Sequence, residues 1–221
     1  LIGTLVSSDK PIVVNSGSAN GSFGNGGARD YGIDQIVELS KVGKEYIFVK
    51  GDGDNSFENV LVVAHEDNTE VSVNGTAVAT INAGFYYIAE GNLYTNDNMY
   101  INTSKDVFVY QGIGGTSSEA NQGMFFVPPL SCGSRGDVDN IPLIDKIGDR
   151  DFNGGITIVT RDGAEVLINN LSVSNQPAGI DVDGPTTVDG KTSYVTYRVI
   201  GLSGNISVNS SNELYVSYFN Q

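Results

Sequence analysis

Tryptophan is absent from this 221-residue chain, and cysteine and histidine occur once each. Cys132 alone can form neither an internal disulfide nor a thiolate metal cluster, and His65 alone cannot build a multi-histidine zinc site. Positive charge is scarce as well. Twelve Lys and Arg face 26 Asp and Glu, a formal net charge of −14. Such a chain repels a phosphate backbone, which argues against nucleic acid as a partner, and it is disfavoured at an anionic membrane surface. No apolar run approaches the length of a membrane-spanning helix, so direct insertion is not expected. There is no signal peptide; the chain starts at Leu1 and stops in a strand-like run, and it reads as an excised fragment or processed product.

What is plentiful points one way. There are 28 glycines, and Asn, Ser and Thr fill the gaps between short Val, Ile, Tyr and Phe runs. That is the composition of many short strands joined by tight turns. No helix is expected. IDQIVELSKVGKEYIF has some 3.6-residue spacing, but its second copy carries Pro142 in mid-run.

The strongest signal is internal repetition. Val6–Val14, Ile101–Val109 and Val208–Val216 each read apolar, then polar turn formers, then apolar alternation, at offsets of 95 and 107 residues. Each predicts a β-hairpin with a buried second strand. Gly32–Gly43 resembles Asp137–Gly148, and Asn59–Gly75 resembles Gly155–Asn170. Segments agreeing in order and spacing predict an all-β fold of two repeated antiparallel β-sandwich-like units of ~100 residues, with a β-propeller-like closed repeat as the alternative. The expected division is 1–115 for the first unit, 116–136 for a Gly/Pro-rich connector and 137–221 for the second. The apolar run of Met124, Phe125 and Phe126 in that connector is expected to pack between the units.

SSDKPIVVNSG, DYGIDQIVELSKVGKEYIFV, NTEVSVNG and TSKDVFVYQG together resemble the N-terminal domain family of the IgG Fc-binding protein, with members in large bacterial surface and secreted proteins. The resemblance spans nearly the whole chain and is strongest over 4–112. It implies a β fold and an extracellular location, at the cell surface or secreted, but transfers no catalytic or ligand residue. A shared fold does not carry a shared ligand.

Four acidic turns are the candidate chemistry. Asp52 and Asp54 in GDGDN, and Asp149 and Asp151 in GDRDFN, precede equivalent strands. Alternate carboxylates with glycine can aim oxygens at a calcium ion, which makes calcium the one candidate cofactor, although the same residues are ordinary turn formers. DVDN and DVDG, at 137–140 and 181–184, add further pairs. His65 reads as a polar strand-end residue equivalent to Arg161, and no nucleophile or tuned acid pair stands out, so no enzyme is expected. Tyr87, Asn92, Tyr94, Asn96 and Asp97 form the expected ligand-binding cluster, where tyrosine faces and amides suit a glycan. The expected role is a non-catalytic binding or adhesion module that presents loops to a glycan or surface protein ligand, beside neighbouring domains of a larger chain. A structural spacer is the alternative, and a carbohydrate-active enzyme ranks third.

Overall fold

The computed structural model describes residues 2–21, 30–114, 123–131 and 139–220. The chain divides into two compact units, Leu1–Leu130 and Ser131–Gln221. Among the described residues there is no α-helix, only strands and short 3-10 turns, as composition predicts.

The first unit begins with an antiparallel pair, β1 (Val14–Gly21) and β2 (Asp30–Ile36). Then follow β3 (Gly43–Val49), β4 (Val60–Ala64), β5 (Thr69–Val73), β6 (Thr76–Ile81) and β7 (Tyr86–Ala89), and then the 16-residue β8 (Asn98–Ile113) and β9 (Gly123–Phe126). Everything is organised around β8. Its first half lies between β3 and β5, with Ile101 opposite Tyr46 and Val73; its second half lies between β4 and β9, with Tyr110 opposite Leu61 and Phe126. The result is a nearly closed, barrel-like sheet around one core. Ile101, Val107 and Val109 face inward with Val60, Val62 and Val71, all fully buried. Alternation along each strand puts these side chains on one face, and each buried aliphatic is worth ~1.5–3 kcal/mol. Asn74 and Gly75 both take positive φ, so β5 and β6 are joined by the two-residue turn that such a dipeptide favours.

The second unit contains β10 (Asp139–Ile141), β11 (Lys146–Ile147), β12 (Arg150–Asp151), β13 (Gly154–Arg161), β14 (Val166–Ile168), β15 (Leu171–Ser172), β16 (Asp181–Thr187), β17 (Tyr194–Leu202), β18 (Ile206–Ser210) and β19 (Leu214–Asn220). One sheet runs β10-β18-β14-β15 and another β16-β17-β13-β19, while β11 and β12 pair with each other. Ile156, Ile158, Ile168, Val199 and Val208 are the centre of its core. The repeat aligned in sequence reproduces the register. Val60 faces Gln111 as Ile156 faces Tyr218, and Val71 faces Thr103 as Val166 faces Ser210.

The expected hairpins are not what the repeated stretches form. Ile101–Val109 lies inside the single strand β8, whose polar middle, Asn102–Asp106, is where the strand leaves one pair of neighbours for the other. Thr103 Oγ1 donates to the Lys105 carbonyl at 2.7 Å within that stretch. In the second unit the stretch breaks into β18 and β19, which pair with different sheets and not with each other. A polar interval between apolar runs marks a change of direction, and a strand passing between sheets needs one as much as a turn does. The alignment of Gly32–Gly43 with Asp137–Gly148 also changes. β10 pairs with β18 as β3 pairs with β8, so it stands in the place of β3, not of β2.

The phenylalanines of the expected connector are part of the first unit. Phe125 packs on its core, and Phe126 meets Tyr110 edge-on at 6.0 Å in the β8–β9 pair. A second anchor is Tyr46, whose buried hydroxyl donates to the Val107 carbonyl at 2.6 Å and accepts from the Gly43 N–H at 2.8 Å. Tyr46→Phe removes both bonds at the β3–β8 crossing. The expected cost is about 1–3 kcal/mol in a urea melt, with the fold retained.

Candidate functional site

Two of the expected clusters meet at one end of the first unit. The GDGDN turn follows β3, and the 91–97 loop joins β7 to β8. Backbone bonds tie them together, from Lys50 N–H to the Asp97 carbonyl at 2.8 Å and from Gly91 N–H to the Asn55 carbonyl at 3.2 Å. Gly91 is needed for that approach, since a Cβ there would fall 2.4 Å from the Asn55 oxygen. Asn96 and Asp97 both adopt positive φ in a two-residue turn closed by Thr95 and Asn98. Asn74 Nδ2 donates to the Leu93 carbonyl at 2.8 Å and fastens the loop from below.

Glu58, which sequence reasoning passed over, organises this end. It is fully buried, and its carboxylate accepts three backbone N–H bonds, from Gly51 at 3.0 Å, Gly53 at 2.9 Å and Gly114 at 3.0 Å. Burial pushes its pKa up, and the three N–H donors with the Lys50 charge pull against that. The GDGDN turn therefore points its amides inward at an anion that the protein itself supplies. The available signal was an acid placed directly before the apolar run VLVV and shortly after a Gly-x-Gly turn.

The expected ligand cluster separates by burial. Asn92, Asn96 and Asp97 are exposed, as are Asp54, Asn55 and Ser56 on the adjoining turn. Tyr87 and Tyr94 pack against the core. The Tyr94 hydroxyl accepts a 3.2 Å bond from Gln111 Nε2, and burial drives its pKa well up. Of the acids expected to hold metal, Asp52 is half-buried and Asp54 exposed, both in the first unit, while Asp149 and Asp151 are exposed in the second. Asp151 is paired with Lys146 at 3.2 Å. Among the described residues no three His, Cys, Asp or Glu side chains converge on a point. Cys132 and Asp137 lie outside the described residues.

His65, one residue past β4, and Arg161, the last residue of β13, hold equivalent positions. Each bonds to the corresponding residue of the repeated stretch: His65 Nδ1 is 3.1 Å from the Asp106 carbonyl, and Arg161 Nη2 donates to Glu213 Oε1 at 2.8 Å. Tyr194 donates to the other Glu213 oxygen, and the Arg161 guanidinium stacks 4.3 Å from the Tyr194 ring centre. Burial pushes the Glu213 carboxyl up, but its bonds from Arg161 and Tyr194 outweigh burial and hold the pKa below the usual range. A lowered carboxylate contributes stability that is present above its unfolded pKa and lost as pH falls through the folded value. Glu213→Gln is therefore expected to lower the melting temperature at pH 7 and to flatten the loss of stability below about pH 4.5, the ordinary glutamate value. Thermal melts between pH 3 and 7 measure both.

A family model described as IgGFc binding protein matches residues 1–219. The chain belongs to this family. Among curated proteins nothing matches. Two solved structures show distant likeness. An anti-sigma factor domain-containing protein from Clostridium clariflavum is 8% identical, over 94% of this chain and 93% of that one, with a TM-score of 0.19. The apo form of Pleurotus ostreatus lectin is 12% identical, over 81% and 78%, with a TM-score of 0.21. Scores at that level carry no argument about the IgGFc-binding fold described above. No described helix is long and apolar enough to cross a membrane, which leaves strands unaddressed.

Proposed function

We propose that this chain is an extracellular, non-catalytic binding module of a larger surface or secreted protein, and that it grips a protein ligand with the loop face of its first unit. Membership of the IgGFc binding protein family across residues 1–219 carries this reading. The geometry agrees with it. Asp54–Ser56, Asn92 and Asn96–Asp97 are exposed on loops that backbone bonds hold to the rigid β3 and β8 ends. Polar loops on a stiff scaffold hold their shape before binding, which lowers the ordering cost of association. Glu58, Tyr94, Glu213 and Tyr46, whose pKa values are all shifted, are tied into structural hydrogen bonds.

A glycan ligand is the second reading, favoured by Phe85 and Tyr86, which stand exposed at the start of β7 and offer ring faces. Labelled protein on an array of matrix proteins, an immunoglobulin Fc fragment and glycans, with and without calcium, separates the readings. The expected result is a protein hit weakened at least tenfold by Asp97→Asn or Asn92→Ala with melting unchanged. Asn tolerates the positive φ at position 97, so that variant removes charge alone. A hit lost on chelation would assign calcium to the acidic turns. Silence on the whole array would leave the module a spacer.

A further inference from the structure

We propose that Leu5–Val13 is the last strand of a third β unit of this same type, a neighbour in the larger chain, and that it inserts between that unit's sheets. Three stretches share one pattern, and two of them have the same place in their units, as β8 and as β18 with β19. At the offset of 95, Val6 corresponds to Ile101 and Ile12 to Val107; Ile101 corresponds in turn to Val208 at 107. Ile101, Val107 and Val208 are fully buried. Val6 is 54% exposed and Ile12 52%, with Leu5 at 88% and Val13 at 71%. Residues 5–13 form no strand here, and the two places that such a strand fills in this chain are taken by β8 and β18–β19.

Local chemistry fits a strand of this kind. Lys10 falls on Lys105, and Pro11 falls on Asp106, which has no ladder partner in β8 because the strand is passing from one pair of neighbours to the other there. Proline, lacking an N–H, is tolerated at such a position and not within a ladder. Both ends of the segment are held to the first unit. Gly3 lies against Gly84 so closely that a Cβ would fall 2.0 Å from the Gly84 oxygen, and Val14 opens β1 opposite Ile36. A strand donated from that position couples two units directly, burying apolar positions while extending a ladder.

The probe is a labelled peptide of residues 3–17. The acceptor is this chain carrying a protease site in the 203–205 turn, cut after folding so that the strand from 205 onward can leave. The expected result is uptake of the peptide at the vacated place, and none for the Val6→Asp, Ile12→Asp peptide. Re-entry of a 205–221 peptide without uptake of the 3–17 peptide overturns the proposal. Hydrogen exchange on the uncut chain is the second measurement. Amides of residues 5–13 are expected to exchange within about tenfold of unstructured rates, whereas protection approaching that of β8 overturns it. A micromolar dimer that the same double substitution abolishes would assign the strand to a second copy and overturn the neighbouring-unit assignment.

Discussion

Removing residues 205–221 is expected to abolish the folding of the second unit while the first still melts as a cooperative body. β18 is the strand that joins β10 to β14, and β19 pairs with β13 from Gly154 to Thr160. Its loss strips both sheets of a partner and takes Ile206 and Val208 out of the core, with Leu214 and Val216 from its margin. Four such side chains at ~1.5–3 kcal/mol each approach the 5–15 kcal/mol that a domain of this size has to lose. Calorimetry of the full and shortened chains measures it. Two overlapping transitions are expected to become one, and a shortened chain with an unchanged melting profile would show that the second unit's fold does not depend on this strand.

Glu58→Ala is expected to cost the first unit about 3–5 kcal/mol, from three backbone donors left without their acceptor at a few kcal/mol or less apiece. The Gly53 and Gly114 bonds share one carboxylate oxygen and the Gly51 bond uses the other. Glu58→Gln keeps one acceptor oxygen and turns an NH2 toward the remaining donor, so its penalty is expected to be smaller. The pH dependence has a definite sign. A folded pKa raised above the ordinary value means that the native state holds the proton more tightly. The Glu58 contribution therefore falls as pH rises from the unfolded glutamate value through the raised folded one. This slope opposes that of Glu213, whose pKa is lowered. Each unit's melt over pH 3–7, with and without its substitution, isolates the two. If Glu58→Ala melts like the parent, the carboxylate does not hold the turn. Because the GDGDN turn and the 91–97 loop are bonded to each other, the same substitution is expected to weaken ligand binding at that face.

How much could be read beforehand depended on the range of each signal. The all-β class was legible in the Gly, Asn and Ser content and in alternations such as VLVV and VSV, because a strand's two-residue period is a local property. The repeat was legible to the residue where strands face the core: Val71 with Val166 and Ile101 with Val208 keep their partners in the folded units. Partner choice was not legible. The stretch around Ser104 reads equally as a hairpin turn or as the crossing point of one long strand, and only the neighbours of β8 decide it. The candidate site divided in the same way. Asn92, Asn96 and Asp97 are exposed on the loop where composition placed them, whereas Tyr94 turns inward to Gln111, a residue 17 positions away.

The residues by themselves determined the strand class, the inward-facing positions and the family, since each is written in periodicity or in segment resemblance. Tertiary structure alone decided that Glu58 is the anion inside an acidic turn and that β8 serves two pairs of neighbours. It also decided that one copy of the repeated strand stays outside any sheet in this chain. Those outcomes are set by which distant backbone groups meet, and no short-range pattern encodes that.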